Sequence, residues 1–167
     1  MPARPLRVGR SVTGLGLFAT KPFKRKAYIA TYRGRLIPNK EADELERRGS
    51  RYMFELNSRW TIDGSSRWNL ARYANHSCRP NAEPVERKRK IVLVARRHIA
   101  AGEEITYDYG RDYFNAFIKE PGCRCAKCRG LPARTGPKKK RRLRKAPKAR
   151  RRQSLSRRRG KVTPRRV

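Results

Sequence analysis

The chain has no acidic residue after Glu120, although residues 134–167 contain eighteen lysines and arginines. This stretch also has almost no large apolar side chains, so it cannot bury enough surface to offset the entropy that ordering would cost. Removing those eighteen from the total of 46 leaves 28 basic residues against 13 acidic ones in residues 1–133. The composition therefore predicts one moderately basic domain followed by a disordered Lys/Arg-rich tail, residues 133–167.

The tail lacks aromatic residues as well as acids, and this bears on its partner. A run of cations binds polyanions by displacing their counterions, so residues 134–167 are predicted to bind DNA or RNA with a steep dependence on salt. Because no aromatic side chains are available for stacking on bases, we expect little sequence preference. A solubilising tail, a surface for anionic lipid and a nuclear-import signal remain alternatives.

Long hydrophobic runs are also missing. No segment approaches the roughly 18 apolar residues of a membrane span, and the charged N-terminus lacks the apolar stretch of a signal peptide. We therefore expect no membrane association and a reducing compartment, where four cysteines suggest metal binding or catalysis before disulfides. The "GLG" at residues 14–16 lacks the third glycine and the following helix of a dinucleotide-binding turn, which excludes a Rossmann domain.

The sequence does contain short runs of β-branched and aromatic residues bounded by Gly, Asn, Pro or charged clusters. The predicted strands cover residues 28–37, 51–57, 60–63 and 90–99. One helix is predicted over residues 39–49, with Asn39 as a possible cap and Gly49 as the stop. No internal repeat and no strand–helix–strand alternation is visible. The pattern predicts a mostly β fold with α+β decoration.

The four cysteines form a third feature. Cys123, Cys125 and Cys128 make up the cluster "CRCAKC", and Cys78 lies in "RYANHSCRP", residues 72–80. A Cys-x-Cys pair is too tightly spaced to form an easy disulfide with itself, whereas three clustered thiolates and a distant one can complete a tetrahedral structural zinc site. Loose surface thiols and a buried, unligated Cys78 are the alternatives. If the four combine, zinc would hold the region after residue 120 beside the Asn-His pair at residues 75–76.

Several motifs together resemble one family. They are "GLGLFA" (14–19), "YRG" (32–34), "RYMFELN" (51–57), "NLARYANHSCRPNA" (69–82), "GEEITYDYG" (102–110) and "CRCAKC" (123–128). Their order and spacing are similar to those of SET-domain protein lysine methyltransferases with a post-SET zinc knuckle, over about residues 5–130. The resemblance implies a SET domain at residues 5–115 and a zinc knuckle at residues 116–132. It also implies a SET-domain fold of small curved sheets with a C-terminal pseudoknot, in which "NHSC" and "TYDYG" lie side by side.

The resemblance further implies ligands and the roles of single residues. S-adenosylmethionine is the expected cofactor, bound by Gly14, Leu15, Gly16, Tyr52, Arg72, Asn75, His76 and Tyr109. Zinc is expected on Cys78, Cys123, Cys125 and Cys128. The implied catalytic residues are Tyr109, Tyr107 and Tyr32, with Tyr107 at the position that influences how many methyl groups are added. Without the family, His76 would be interpreted as a hydrogen-bonded core histidine and the tyrosines as packing residues.

Two positions and one spacing depart from the family pattern. Thr31 stands where an acid usually precedes "YxG", and Arg35 stands where an acid often follows the glycine. The knuckle is also two residues shorter than the common form, which still leaves three thiolates able to face one ion. The small size resembles members from bacteria and large viruses. We therefore expect a cytoplasmic, nucleoid-associated protein if the source is bacterial and a nuclear protein if it is eukaryotic.

The resemblance thus implies an S-adenosylmethionine-dependent protein lysine N-methyltransferase. The tyrosine at position 107 favours monomethyl-lysine as the product. The basic tail would concentrate the enzyme near nucleic-acid-associated proteins that present a lysine. The alternative is a nucleic-acid-binding protein whose SET domain is a binding module with little or no activity. Nothing in the sequence indicates an oligomeric state.

Overall fold

The computed structural model describes residues 4–130. Its strands are β1 (Leu6–Ser11), β2 (Gly14–Ala19), β3 (Tyr28–Tyr32), β4 (Arg35–Pro38), β5 (Met53–Glu55), β6 (Trp60–Asp63), β7 (Asn75–His76), β8 (Ala82–Arg87), β9 (Lys90–Ala95) and β10 (Glu104–Tyr107). Its helices are α1 (Asn39–Arg47) and α2 (Arg111–Tyr113), which continues as a π-helix over Phe114–Ile118, and a 3₁₀ turn spans Leu70–Tyr73. The predicted tail, residues 133–167, lies outside the described residues.

The strands form three small sheets around one apolar core. Their orders are β1-β2-β10-β7, β3-β9-β8 and β4-β6-β5. Each sheet contributes to the core, for example through Leu17, Leu93 and Ile62. The side chains of Leu17 and Leu93 are fully buried, which removes apolar surface from water on both of those sheets. The prediction of a mostly β fold with few helices is confirmed.

The predicted strand at residues 28–37 is in fact two strands that belong to different sheets. The chain breaks at Gly34, where an added Cβ would collide with the backbone oxygen of Asp63 on β6. Only glycine permits this close approach, which lets β3 end and β4 begin in a new direction. The strands predicted at 51–57 and 90–99 are shorter than expected, whereas 60–63 is confirmed.

The sequence correctly predicts a helix after residue 38 but not its cap. Pro38 occupies the N-cap position of α1, which has no side-chain cap hydrogen bond, so the role expected of Asn39 is wrong. The amide of Asn39 instead donates to the carbonyl oxygen of Asn57 at 3.1 Å, and its oxygen accepts from the Thr61 hydroxyl at 2.9 Å. The stop at Gly49 is confirmed, because Gly49 has φ 99° and its N–H bonds to the carbonyl of Glu46.

The short strand β7 brings two distant motifs together. It pairs in parallel with β10, with Asn75 opposite Thr106 and His76 opposite Tyr107. The next residue continues the contact, since the Ser77 N–H bonds to the Tyr107 carbonyl at 3.0 Å. The expectation that "NHSC" and "TYDYG" lie side by side is therefore confirmed.

The structure has two regions, which are named here the body and the C-terminal segment. The body is residues 4–110, which contain all ten strands of the described part, and the C-terminal segment is residues 111–130, which contains α2, the π-helix and the cysteine cluster. Among the described residues, no helix is long and apolar enough to cross a membrane.

Candidate functional site

A cleft of about 1420 Å³ runs between the body and the C-terminal segment. Most of the residues predicted to bind cofactor or act in catalysis line it, namely Leu15, Tyr32, Tyr52, Arg72, Asn75, His76, Tyr107 and Tyr109. Gly14 and Gly16 do not line the cleft, but their neighbours Thr13 and Leu15 do. The structure thus gathers into one cavity residues that lie as far apart in sequence as Leu15 and Tyr109.

Tyr32, Tyr107 and Tyr109 all line the cleft and form the tyrosine cluster. The rings of Tyr107 and Tyr109 lie 4.7 Å apart, and Tyr32 packs against Phe54 with ring centroids 5.2 Å apart. Burial raises the pKa of Tyr32, Tyr107 and Tyr109 above the ordinary tyrosine value, because a phenolate would lose its hydration there. All three hydroxyls are therefore neutral at physiological pH.

The three hydroxyls differ in their hydrogen bonds. Tyr109 donates to the carbonyl oxygen of Ala74 at 2.8 Å, and Tyr32 donates to the carbonyl oxygen of Tyr52 at 2.9 Å. Both oxygens then keep their lone pairs for another partner. The hydroxyl of Tyr107 makes no hydrogen bond with any residue of the described range, so it can both donate and accept.

His76 connects the cleft to the cysteine cluster. Its side chain is 7% exposed, and its Nδ1 accepts a hydrogen bond from the Tyr109 N–H at 3.3 Å. The neutral ring therefore carries its proton on Nε2, which lies 3.3 Å from Sγ of Cys78. Burial lowers the pKa of His76, and the nearby carboxylate of Asp108 only partly opposes this. A neutral, doubly hydrogen-bonded ring suits a fixed structural link better than proton transfer.

The side chain of Asn75 links β2 to β10 by hydrogen bonds. Its amide nitrogen donates to the carbonyl of Leu15 at 3.0 Å and to Oε1 of Glu104 at 2.8 Å. Gly16 lies against the same carboxylate, because an added Cβ there would stand 2.5 Å from Oε1 of Glu104. Gly14 has open space around it but a φ of 113°, which other residues rarely adopt. Glycine is therefore required at position 16 because there is no room for a side chain, and at position 14 because of the backbone conformation.

Arg72 stacks on the ring of Tyr52. The guanidinium carbon lies 3.7 Å from the centroid of the Tyr52 ring, and one guanidinium nitrogen donates to the carbonyl of Ser65. Its Nε is buried and has no hydrogen-bond partner among the described residues. A buried donor without an acceptor is costly, so the site suits a bound molecule that brings an acceptor into the cleft.

The four cysteines meet at the edge of the cleft. All four sulfurs lie within 4.8 Å of one another, and Cys78 Sγ is 3.8 Å from Cys123 Sγ and 3.7 Å from Cys128 Sγ. These distances exclude disulfides, whose sulfurs are about 2.05 Å apart. They match the edge of a tetrahedron with Zn–S bonds of about 2.3 Å, which is about 3.8 Å. The predicted meeting of the four cysteines is confirmed.

The ionisation of these thiols fits a dication. Burial by itself would raise the pKa of Cys125, but hydrogen bonds from the backbone of Cys128 and Cys78 and from the neighbouring thiols lower it to about 6. Burial and hydrogen bonding to its neighbours raise the pKa of Cys78 instead. The Cys125 thiolate therefore forms readily, whereas burial raises the pKa of Cys78 and Cys123 and favours their neutral thiols. A bound Zn²⁺ would favour the thiolate form of its ligands.

Two aromatic residues of the C-terminal segment, Tyr113 and Phe117, line the cleft, and the sequence prediction did not include them. Tyr113 meets Tyr109 edge to face at 5.0 Å, Phe117 lies 4.8 Å from Tyr113, and Phe114 lies 5.4 Å from His76. A signal was present, since Tyr109, Tyr113 and Phe117 are each four residues apart, the spacing of one helix face. The acidic residues Asp43 and Glu46 of α1, also missed, line the cleft as well.

Comparisons with known proteins agree with this arrangement. The SET domain family matches residues 14–110. Human histone-lysine N-methyltransferase 2D is 39% identical over 124 residues, which are 68% of this chain and 2% of that protein. Histone-lysine N-methyltransferase set1 of Dictyostelium discoideum is 38% identical over 125 residues, which are 68% of this chain and 8% of that protein. The chain therefore spans only a small fraction of the length of these relatives.

A solved structure is also similar to this chain. One chain in the crystal structure of an active polycomb repressive complex 2 in the basal state has a TM-score of 0.59 and 31% identity, over 65% of this chain and 16% of that chain. The family match covers more than half of the 167 residues, and the cysteine cluster that follows it fits a post-SET zinc knuckle. This chain belongs to the SET domain family.

Proposed function

We propose that this protein is an S-adenosylmethionine-dependent protein lysine N-methyltransferase. The observation that carries the proposal is the cluster of Tyr32, Tyr107 and Tyr109 that lines the cleft, with Tyr107 paired beside His76. Neutral tyrosine hydroxyls on the wall of a cleft can hold an uncharged amine by hydrogen bonds. Relatives named histone-lysine N-methyltransferases support the same reaction class.

The residues of the chain fit the cofactor. The cleft is large enough, Leu15 and Asn75 lie on it, and the buried Arg72 Nε offers a donor without a partner. We assign Gly14, Leu15, Gly16, Tyr52, Arg72, Asn75, His76 and Tyr109 to binding it, with the two glycines acting through the backbone path of β2. S-adenosylmethionine would supply an electrophilic methyl group on a positively charged sulfur.

The tyrosine cluster would do its work by desolvation and alignment. Burial beside Tyr32 and Tyr107 favours the neutral form of a substrate lysine, since an ammonium would lose its hydration there. The Tyr109 hydroxyl donates a hydrogen bond to the Ala74 carbonyl oxygen, so the lone pairs of the Tyr109 oxygen can stabilise partial positive charge on a methyl group. No strong base is required, because the amine can lose its proton to solvent before it enters.

Tyr107 would determine the degree of methylation. Its hydroxyl is free of hydrogen bonds to the described residues and can hold the substrate amine directly or through a water. Adding a second methyl group then requires displacing a well-held polar group, at about 1–2 kcal/mol. We therefore propose monomethyl-lysine as the main product.

The zinc knuckle would position the C-terminal segment, and the tail would position the whole enzyme near its substrates. Zinc on Cys78, Cys123, Cys125 and Cys128 would fix the C-terminal segment over the cleft. The tail at residues 134–167 would bring the enzyme to DNA or RNA, so that nucleic-acid-associated proteins become the substrates. The domain limits of 5–115, 116–132 and 133–167 and the cellular location stay predictions.

Titration calorimetry and a transfer assay test the proposal. Zinc-loaded protein should bind S-adenosylmethionine, and mass spectrometry should detect monomethyl-lysine on a mixture of basic peptides. The Tyr109→Phe variant should transfer little, because it lacks the hydroxyl that we propose to stabilise the methyl group, and calorimetry measures how much of its cofactor binding remains. Absence of cofactor binding would contradict the proposal and favour a SET domain that acts as a binding module in a nucleic-acid-binding protein.

A further inference from the structure

One wall of the cleft carries carboxylates that lack cationic partners. Asp43 and Glu46 lie one turn apart on α1, Glu55 ends β5, and all three line the cleft. Within residues 4–130, none of the three forms a salt bridge. We call these three residues the acidic wall. It stands out in a chain with a formal net charge of +33.

The other two acids of α1 are different. Glu41 pairs with Arg35, and Glu44 pairs with Arg47 and Arg48 at the surface. Neither of these glutamates lines the cleft. One helix thus has two neutralised carboxylates away from the cleft and two open ones on it, which provides a matched internal control.

Two carboxylates of the acidic wall, those of Asp43 and Glu46, repel each other. Partial burial and the neighbouring carboxylate of Asp43 raise the pKa of Glu46 above its ordinary value, although Arg51 opposes this. Arg51 lies beside Glu46, since its guanidinium donates to the Glu46 carbonyl oxygen at 3.2 Å, but it forms no salt bridge with that carboxylate and also lies 4.3 Å from the centre of the Phe117 ring. The other arginines that line the cleft, at positions 67, 72, 111 and 124, form no salt bridge with the acidic wall within residues 4–130. A cation entering between α1 and the C-terminal segment would relieve the repulsion between Asp43 and Glu46.

We propose that the Lys/Arg-rich tail of the same chain, residues 133–167, docks on the acidic wall and presents a lysine among Lys138, Lys139 and Lys140 to the tyrosine cluster. The protein then methylates itself in cis. This inference rests on the methyltransferase function proposed above. The tail has eighteen basic residues from position 134 onwards and no acid, so its charge complements the wall.

The path of the chain favours this occupant. The described residues end at Gly130, directly after the cysteine cluster, and Cys123 and Cys125 themselves line the cleft. The Arg129 N–H bonds to the Cys125 carbonyl at 3.1 Å, so the chain leaves at the rim. Eight residues from Gly130 to Lys138 can span about 26–29 Å, more than twice the diameter of a helix. A tethered segment also has an effective concentration of about a millimolar.

The transfer step balances without any further reactant than the sulfonium methyl donor. The neutral Nζ of the tail lysine forms a bond to the methyl carbon while the bond from that carbon to sulfur breaks. The electron pair of the broken bond stays on sulfur, which becomes a neutral thioether. The methylated ammonium then loses a proton to solvent.

Docking can be tested apart from catalysis by zero-length crosslinking. A carbodiimide joins a carboxylate to a lysine amine only when the two are in contact. In full-length protein at low concentration, we expect crosslinks within one molecule from the acidic wall to lysines 138–140, and few from Glu41 or Glu44. A tail that crosslinks evenly to all surface carboxylates would overturn docking. So would a tail that avoids the wall but binds duplex DNA, which would assign it to nucleic acid alone.

Self-methylation is then measured on the full chain with S-adenosylmethionine. Mass spectrometry should find methyl groups on lysines 138–140, at a rate per molecule that does not change over a hundredfold dilution. The double variant Asp43→Asn/Glu46→Gln should slow this rate about five- to tenfold, whereas Glu41→Gln/Glu44→Gln removes the same charge and should leave it unchanged. A rate proportional to protein concentration would overturn the cis mechanism.

An added peptide separates the two proposals. A free peptide with the sequence of residues 136–142 is offered to the same enzyme. Methylation of this peptide without methylation of the tail would overturn self-methylation and leave the proposed function standing. If neither is methylated, self-methylation fails, and the assay on mixed basic peptides decides whether the proposed function stands, while the crosslinks still decide whether the tail docks.

Discussion

The body and the C-terminal segment are held in place by different forces. The body contains the fully buried side chains of the described structure, including Leu17, Leu93 and Ile105. In the C-terminal segment only Cys125 is buried, and α2 and the π-helix contain no buried residue. Burial of a Leu or Ile side chain contributes about 1.5–3 kcal/mol, a contribution that the segment almost lacks.

The segment depends instead on aromatic contacts and on the cysteines. Its contacts to His76 and Tyr109 are edge-to-face or tilted ring pairs, worth about 0.5–1.5 kcal/mol each. Structural zinc contributes about 10 kcal/mol or more in small metal-binding domains. We therefore expect the body to fold by hydrophobic burial and the C-terminal segment to depend on a zinc ion held by its cysteines.

The largest expected effect compares one tyrosine from each region. Tyr109→Phe should lower methyl transfer about 10²- to 10³-fold, because the variant removes the oxygen that we propose to stabilise the transferring methyl group. Tyr113→Phe should cost only a few fold, since its ring contact with Tyr109 is kept and its hydroxyl makes only a long bond, 3.4 Å, to the Arg51 carbonyl. Initial rates at saturating cofactor decide this, and equal losses in the two variants would contradict the assignment.

The second largest effect is expected when the C-terminal segment loses a zinc ligand. Cys128→Ser should release zinc and lower transfer about ten- to a hundredfold, because the segment loses its anchor. Hydrogen exchange should become faster in residues 111–130 and stay unchanged in the strands of the body. Arg129→Ser is the matched control, being next in sequence and not a ligand. Loss of zinc without faster exchange in the segment would show that aromatic contacts are enough.

A substitution in the core of the body should lower the free energy of unfolding without releasing zinc. The carboxylate of Glu103 is 5% exposed and accepts hydrogen bonds from Asn81, from Arg97 and from the Ala100 N–H. Glu103→Gln should lower the free energy of unfolding by about 2 kcal/mol, because buried donors lose a charged acceptor. The zinc content should not change. Glu86→Gln, at an exposed position of β8, is the control in denaturant titrations.

The same residue gives a pH dependence with a defined sign. Burial alone would raise the pKa of Glu103, but the bonds from Arg97, Asn81 and Ala100 outweigh it and hold that pKa below the ordinary 4.5. Its contribution to stability is present above pH 4.5 and is lost as pH falls through the lower folded-state value. Wild type should lose this part of its stability in acid, whereas Glu103→Gln should not.

The smallest expected effect concerns the product rather than the rate. Tyr107→Phe should raise dimethyl-lysine about ten- to thirtyfold relative to monomethyl-lysine while transfer continues, because the free hydroxyl no longer holds the amine. Mass spectrometry of a product peptide provides the measurement. Trimethyl-lysine from the wild type would show that Tyr107 does not limit methylation.

The sequence predicted more of the site than of the fold around it. "NHSC" and "TYDYG" identified β7 and β10 as neighbours, and the parallel pairing of Asn75 with Thr106 agrees. Strand limits were less predictable, because the break at Gly34 arises from contact with Asp63, which is distant in sequence. The cap expected at Asn39 failed for a similar reason, since Asn57 and Thr61 bind its side chain.

The sequence by itself determined the inventory: four cysteines, a tyrosine-rich motif and a tail without acids. Only the tertiary structure decided how each member is used. Tyr107 and Tyr109 are two residues apart, yet one hydroxyl is free among the described residues and the other is bound to Ala74, 35 positions away. Asp43 and Glu41 lie on one helix, yet only Asp43 lines the cleft. Hydrogen-bond partners and burial depend on residues far away in the chain, which local patterns do not encode.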